Sequence, residues 1–233
     1  MQLERQSVKS EVRDGMRIDW DIPIRMDDGA VLRADLFRPD DDKAYPVIFS
    51  CGAFGKGLAF QEGNKSAWDR MVAAFPEVTK GSTCKYQVWE LVDPEKWVPD
   101  GYACLRVDAR GSGRSPGYLD PWSKRENKDI YDCIEWAAAQ DWCDGKVGMN
   151  GISYFAMNQW YVAQHQPPHL AALCVWEGAA DWYREIARHG GSERPLESFF
   201  PLKGFSGCLQ IFGRLFAFKS RHIANGFAID DHR

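Results

Sequence analysis

Four short, continuous apolar runs constrain the fold of this chain more than any other feature. They are residues 46–51 (Pro-Val-Ile-Phe-Ser-Cys), 103–107 (Ala-Cys-Leu-Arg-Val), 147–149 (Val-Gly-Met) and 173–176 (Leu-Cys-Val-Trp). Runs of this length with little polar alternation are those of strands buried on both faces. Helical segments are predicted between the last three, over 126–140 and 154–165. In the first of these, Ile130, Ile134 and Ala137 mark one face, with Tyr131 and Ala138 beside it. Glu126, Lys128, Asp129, Asp132 and Glu135 are assigned mostly to the solvated face. Strands that alternate with helices imply βαβ units, hence a parallel sheet with right-handed crossovers.

The chain opens differently. Ile18, Trp20, Ile22 and Ile24 alternate with polar residues, Asp28-Gly29 supplies a turn, and 31–37 alternates again before Pro39. That is an antiparallel hairpin. A hairpin followed by βαβ alternation is the outline of an α/β-hydrolase: a mostly parallel sheet with an antiparallel opening.

Composition removes several function classes. A hydrophobic fraction of 45% over 233 residues is enough for a sizeable core. A net charge of -4 with scattered Lys and Arg argues against a dedicated nucleic-acid surface. The first fifteen residues lack the apolar stretch of a secretory signal, and no run is long and apolar enough to cross a bilayer. The seven cysteines are widely spaced with no C-x-x-C pair, which indicates neither a disulfide framework nor a zinc site. Small buried hydrophobes in a reduced, cytoplasmic protein account for them. No residue cluster implies a metal or an organic cofactor. No sequence signal addresses the oligomeric state.

Chemistry is concentrated in 146–156, Lys-Val-Gly-Met-Asn-Gly-Ile-Ser-Tyr-Phe-Ala. A short strand runs directly into Gly-x-Ser, and an amphipathic helix is expected to follow at once. A tight strand-to-helix turn lifts a serine hydroxyl out of the sheet to the positive end of a helix, which makes Ser153 the candidate nucleophile. Gly151 and Ala156 leave room for the turn. The N–H of Tyr154, the next residue, is the candidate oxyanion donor. Phe155 stands where the generic Gly-x-Ser-x-Gly has its second glycine.

Other motifs are read structurally. Gly111-Ser-Gly-Arg-Ser-Pro-Gly117 follows a strand, but it has proline at its sixth position and no helix opens on it. It is expected to be a tight turn tied down by Asp108 and Arg110 rather than a phosphate loop. His165 and His169 flank Pro167-Pro168, so they share no helical face and belong to a surface turn. The ten tryptophans are expected to be mostly core, with some available to line an apolar acyl pocket.

Four stretches together resemble the CocE/NonD serine hydrolases, the X-prolyl dipeptidyl-aminopeptidase-like branch of the α/β-hydrolases. They are 46–56 (PVIFSCGAFGK), 106–117 (RVDARGSGRSPG), 134–142 (IEWAAAQDW) through Gly151-Ile-Ser-Tyr-Phe-Ala156, and 167–172 (PPHLAA) leading to Glu177-Gly178. The resemblance implies hydrolysis of an ester, an amide or an X-prolyl peptide bond, on a small molecule or a short peptide. The family pattern Gly-x-Ser-Tyr-x-Gly accommodates Phe155 and leaves Ala156 as the one departure there. The family also implies a Pro-Tyr after the first buried strand, with the tyrosine hydroxyl in the oxyanion hole. Here Ala53 and Phe54 occupy those positions, and Phe54 has no hydroxyl.

The triad order in this fold is Ser, then Asp or Glu, then His. Asp181, His189, His222, Asp230, Asp231 and His232 follow Ser153, but none ends a recognisable late strand. The expectation is an incomplete hydrolase core over 1–178, truncated before the late strands, and the start of a helical cap with a divergent tail over 179–233. Truncation or a shifted reading frame near Gly191 would account for the tail. The alternative to an active hydrolase is a catalytically inactive fragment of one.

Overall fold

The computed structural model of the protein describes residues 8–188. The chain divides into two units, Met1–Ala180 and Asp181–Arg233. The first carries a seven-stranded sheet of order β1-β2-β3-β5-β4-β6-β7. Its strands are β1 (Lys9–Arg13), β2 (Met16–Arg25), β3 (Val31–Pro39), β4 (Tyr45–Gly52), β5 (Ala103–Asp108), β6 (Cys143–Ile152) and β7 (Leu170–Trp176). Pairings from β1 to β5 by way of β2 and β3 are antiparallel, and those of β4 with β5 and β6, and of β6 with β7, are parallel.

The predicted hairpin is β2–β3, and all four apolar runs are strands. Two features escaped the sequence reading. The polar segment KSEVR forms the edge strand β1, and β2 is not continuous: its register slips between Asp19 and Ile22, where Asp21 takes φ 55°. Such a bulge bends the strand and re-aims side chains.

The helices are α1 (Phe60–Gly63), α2 (Lys65–Ala74), α3 (Pro94–Trp97), α4 (Lys124–Ala138) and α5 (Tyr154–Ala163). The first three belong to a long excursion between β4 and β5. Side chains alternate across the sheet to feed two cores. On one face Val47, Phe49, Leu105, Val147 and Met149 pack against Ile130, Cys133, Ile134 and Ala137 of α4. On the other, Ile48 and Cys104 join Met16, Ile18, Phe37, Tyr86 and Val98.

Three expectations about side chains need correction. Glu126 and Asp129 are not on a solvated face: they are 7% and 2% exposed. Arg110 and Arg125 donate to Asp129, which is how a buried carboxylate is tolerated. The helix after the serine is not amphipathic, since its first six residues are all buried. It packs on β4, β6 and β7 and against α4, and only its later residues, such as Trp160, reach solvent. None of the nine described tryptophans is fully buried: seven are half-buried, and Trp160 and Trp176 are exposed. A ring of that size reaches from core to surface. By contrast, five of the six described cysteines are buried and all six are free thiols.

In the second unit, the described part is a short π-helical segment, Trp182–Ala187. Asp181 caps it, accepting from the Arg184 N–H at 2.9 Å. His189, His222, Asp230, Asp231 and His232 lie outside the described residues.

Candidate active site

The strand-turn-helix passage forms as the sequence requires. Ser153 follows β6 directly and takes φ 55°, ψ −111°, a conformation that L-residues adopt only when their surroundings impose it. The surroundings do impose it. The Ser153 N–H donates to the Trp176 carbonyl at 3.0 Å, and the Ile152 N–H donates to the Glu90 carbonyl at 3.3 Å. The Ser153 carbonyl accepts from Ala156 and Met157 and so opens α5.

Close approaches explain the small residues. A Cβ on Gly151 would lie 2.2 Å from the Phe155 Cβ, and one on Gly52 would lie 2.2 Å from the Phe155 ring. Phe155 is therefore accommodated by glycines on β4 and β6 rather than by a glycine at its own position. A Cβ on Gly178 would meet Ala156 at 2.7 Å, so the backbone after β7 rests directly on the start of α5.

Tyr154 is the first residue of α5, and its N–H is one of the first-turn donors that have no acceptor within a helix. Its side chain is 1% exposed and donates a short hydrogen bond to Glu126. Burial raises the phenol well above its ordinary pKa, and the charge of Glu126 raises it further. The other Glu126 oxygen accepts from the Trp122 N–H at 2.5 Å. Ser123, the N-cap of α4, accepts from the Glu126 N–H at 3.1 Å. Ser-x-x-Glu is a capping-box sequence, and here its glutamate also holds the residue after the candidate nucleophile. The spacing was legible in the sequence. Its link to Tyr154, 28 residues away, was not.

Phe54 is half-buried, with its ring 5.8 Å from that of Tyr154 and 5.6 Å from that of Phe155. The loop bearing it is held by charge. The Lys56 N–H donates to Asp108 at 2.7 Å, and the buried Lys56 ammonium donates to Asp21 at 2.7 Å and Asp35 at 2.8 Å. The β2 bulge is what brings Asp21 to this pair. Burial pushes the Asp35 carboxyl up, against the pull of its hydrogen bonds. For Lys56, burial works to lower the ammonium, but the two carboxylates outweigh it and its pKa rises. Asp108 also accepts from the Arg114 N–H at 2.8 Å, so it does tie down the glycine-rich turn as expected. Arg110 does so too, through Asp28 and Asp129.

Sequence reasoning did not single out Glu90. It lies in the β4–β5 excursion with φ 63°, and burial pushes its carboxyl up to about 8. A hydrogen bond from Trp89 opposes that shift, and the negative charge of Glu177 adds to it. Its Oε2 is buried without a hydrogen-bond partner among the described residues. Asn158 and Gln159 also went unnoticed. Both are fully buried, and their amides donate to the carbonyls of Cys51 and Cys174, stitching α5 to β4 and β7.

The described histidines are remote from the serine. His165 follows α5 and His169 precedes β7, so both lie at the N-terminal end of the parallel strands, whereas Ser153 lies at the C-terminal end. Seven residues of β7 separate those ends by about 20 Å. As expected, both histidines are exposed, and His169 Nδ1 lies 2.7 Å from Glu135. Among the described residues no cluster of three metal-ligating side chains occurs, and no helix is long and apolar enough to cross a membrane.

A seven-stranded mixed sheet whose parallel strand ends in a strained serine turn defines an α/β-hydrolase-type protein. Comparison with known proteins narrows this. The family model for X-Pro dipeptidyl-peptidase (S15 family) matches residues 28–199, most of the chain, and the protein belongs to that family. Cocaine esterase from Rhodococcus sp. (strain MB1 Bresler) is 32% identical over 163 residues, 70% of this chain and 24% of that protein. The crystal structure of a CocE/NonD family hydrolase from Staphylococcus aureus is similar, with 39% identity and a TM-score of 0.68. That match covers 88% of this chain and 37% of the other. An α-amino acid ester hydrolase at 18% identity and a TM-score of 0.56 shares the fold. The chain thus spans about a quarter of the esterase and about a third of the solved hydrolases.

Proposed function

We propose that this chain carries the nucleophile and oxyanion side of a serine hydrolase acting on an ester, an amide or an X-prolyl peptide bond through an acyl-enzyme. The observation that carries the reading is the strained backbone of Ser153 at the end of β6, opening a buried helix. In this mechanism the Ser153 Oγ attacks the carbonyl carbon and its proton passes to a general base. The carbonyl electrons move to oxygen, where the Tyr154 N–H donates to the oxyanion. Collapse expels the leaving group with that proton, and water then attacks the acyl-serine to release the acid.

The triad acid and base belong to parts of the protein outside the described residues. On this reading residues 1–178 form a hydrolase core and 179–233 begin a cap. A small ester, amide or short peptide is the substrate class, with no nucleic acid or membrane as partner. The free, mostly buried cysteines fit a reducing, cytoplasmic setting.

The test is labelling of the purified chain with a fluorophosphonate probe, with Ser153→Ala as control. Labelling of the wild type that disappears in the variant is expected. A folded chain that does not label would instead support the inactive-fragment alternative.

A further inference from the structure

Phe54 stands where the family resemblance implies a tyrosine hydroxyl as oxyanion donor, and the glycine-rich turn 111–117 has no role in the mechanism above. One hydrogen bond connects the two. The Ser112 hydroxyl, in a buried residue of that turn, donates to the Ala53 carbonyl at 2.7 Å. Ala53 precedes Phe54, so this bond fixes the plane of the peptide that contains the Phe54 N–H. Among the described residues no peptide bond is cis. In a trans peptide the C=O and the N–H point in opposite directions.

Strand order then gives the direction. β4 lies between β5 and β6. The Ala53 carbonyl is turned toward the loop after β5, where Ser112 sits, and the neighbouring Gly52 carbonyl accepts from Ala109 on that same side at 2.9 Å. The Phe54 N–H is thereby turned toward the end of β6, which is where Ser153 stands. The Phe54 ring, packed against Tyr154 and Phe155, keeps this residue beside the start of α5.

Resting on the hydrolase reading, we propose that Ser112 is a positioning residue that aims the Phe54 backbone N–H into the oxyanion hole, where it replaces the missing phenol. Ser112 is itself held in place. Its N–H donates to Ala109, and its carbonyl accepts from Ser115 at 2.9 Å. Ser115 donates to the Asp108 carbonyl at 2.6 Å. Gly113, with φ 51°, lets the turn close over Asp108: a Cβ there would lie 2.2 Å from the carboxylate. Two residues beyond Phe54 on the other loop, Lys56 is pinned at both its N–H and its ammonium. The glycine-rich turn is thus a buttress for the loop after β4, not a ligand loop.

The experiment combines the rate of fluorophosphonate labelling at Ser153 with the amide resonances of Phe54 and Tyr154. In the wild type, phosphonylation is expected to move both amide protons downfield, because the phosphonyl oxygen occupies the oxyanion site. An unmoved Phe54 amide overturns the proposal. Ser112→Ala is expected to slow labelling by between about 10-fold and 10³-fold, the upper figure being the loss of a whole oxyanion donor. Ser112→Thr, which keeps the hydroxyl, should restore the rate, and so should Phe54→Tyr added to Ser112→Ala. A buttress that only stabilises the fold would not be rescued by a phenol, and that outcome also counts against the proposal. Failure of the wild type to label sinks the hydrolase reading and the oxyanion role together. The Phe54 ¹⁵N shift in Ser112→Ala then still decides the peptide orientation, and an unchanged shift rejects it.

Discussion

The elbow serine is held from two flanks that are built in opposite ways. On the β4–β5 flank, the backbone is fixed by buried charge and by glycines: Lys56 with Asp21 and Asp35, and Asp108 beneath Gly113. On the β7 flank there are one backbone hydrogen bond, from the Ser153 N–H to the Trp176 carbonyl, and the close contact of Gly178 with Ala156, and no ion pair among the described residues of β7 itself. Ala171, Ala172 and Trp176 of β7 are exposed, Trp176 at 57%, although LAALCVW has the composition of a strand covered on both faces. β1, the other edge of the sheet, is KSEVR, whose charges discourage pairing with further strands. The comparison teaches that the β4–β5 flank of the serine is over-determined by groups within 180 residues of chain. The β7 side contributes a main-chain hydrogen bond and the packing of Leu170 and Leu173, without charge.

Substitutions that break the charged flank should have the largest effect. Lys56→Met leaves Asp35, almost completely buried, without its cation, and a loss on the order of 3–5 kcal/mol in urea unfolding is expected. Adding Asp35→Leu should recover most of it, because an apolar pair needs no solvation. If Lys56→Met alone costs nothing, the flank is not braced by charge. Tyr154→Phe is next: it strips a donor from buried Glu126 and should cost about 1–3 kcal/mol, with Glu126→Gln milder because an amide oxygen still accepts.

The two flanks also differ in their response to pH. Glu90, whose carbonyl holds Ile152, is buried with its carboxyl raised from 4.5 to about 8. The folded state therefore holds a proton that the unfolded state has released between these values. Its contribution to stability is complete below pH 4.5 and is lost as pH rises to about 8. Glu90→Gln should flatten that part of a stability-against-pH curve, and an unchanged slope would remove Glu90 from the account. The smallest effect is expected on the far flank. Ala172→Lys, on an exposed face of β7, should change stability by no more than about 0.5 kcal/mol while reducing self-association measured by light scattering. A large loss of stability would mean that this face is covered.

Much of this molecule is legible in particular residues. The apolar runs became β4 to β7 because two-sided burial selects uninterrupted aliphatic residues, and Asp28-Gly29 set the hairpin because the turn chemistry is local. Ser153 was legible for the same reason: glycine, serine and the following helix are contiguous, and the strain belongs to one residue. Polar β1 was not legible, since an edge strand facing water needs no hydrophobic pattern. Nor was the burial of Glu126 and Asp129, whose helix reads as amphipathic until Tyr154 and Arg110 arrive from elsewhere in the chain and join Arg125 of the same helix.

By itself, then, the sequence determined the order and type of the central elements and the identity of the strained serine, because periodicity and turn chemistry act over a few residues. Only the tertiary structure decided which charges could be buried. Lys56 with Asp21 and Asp35, Glu126 with Tyr154, and Ser112 with Ala53 are pairs separated by 21 to 59 residues. A polar group enters a low-dielectric interior only where its partner is already in place, and that placement is a property of the whole fold.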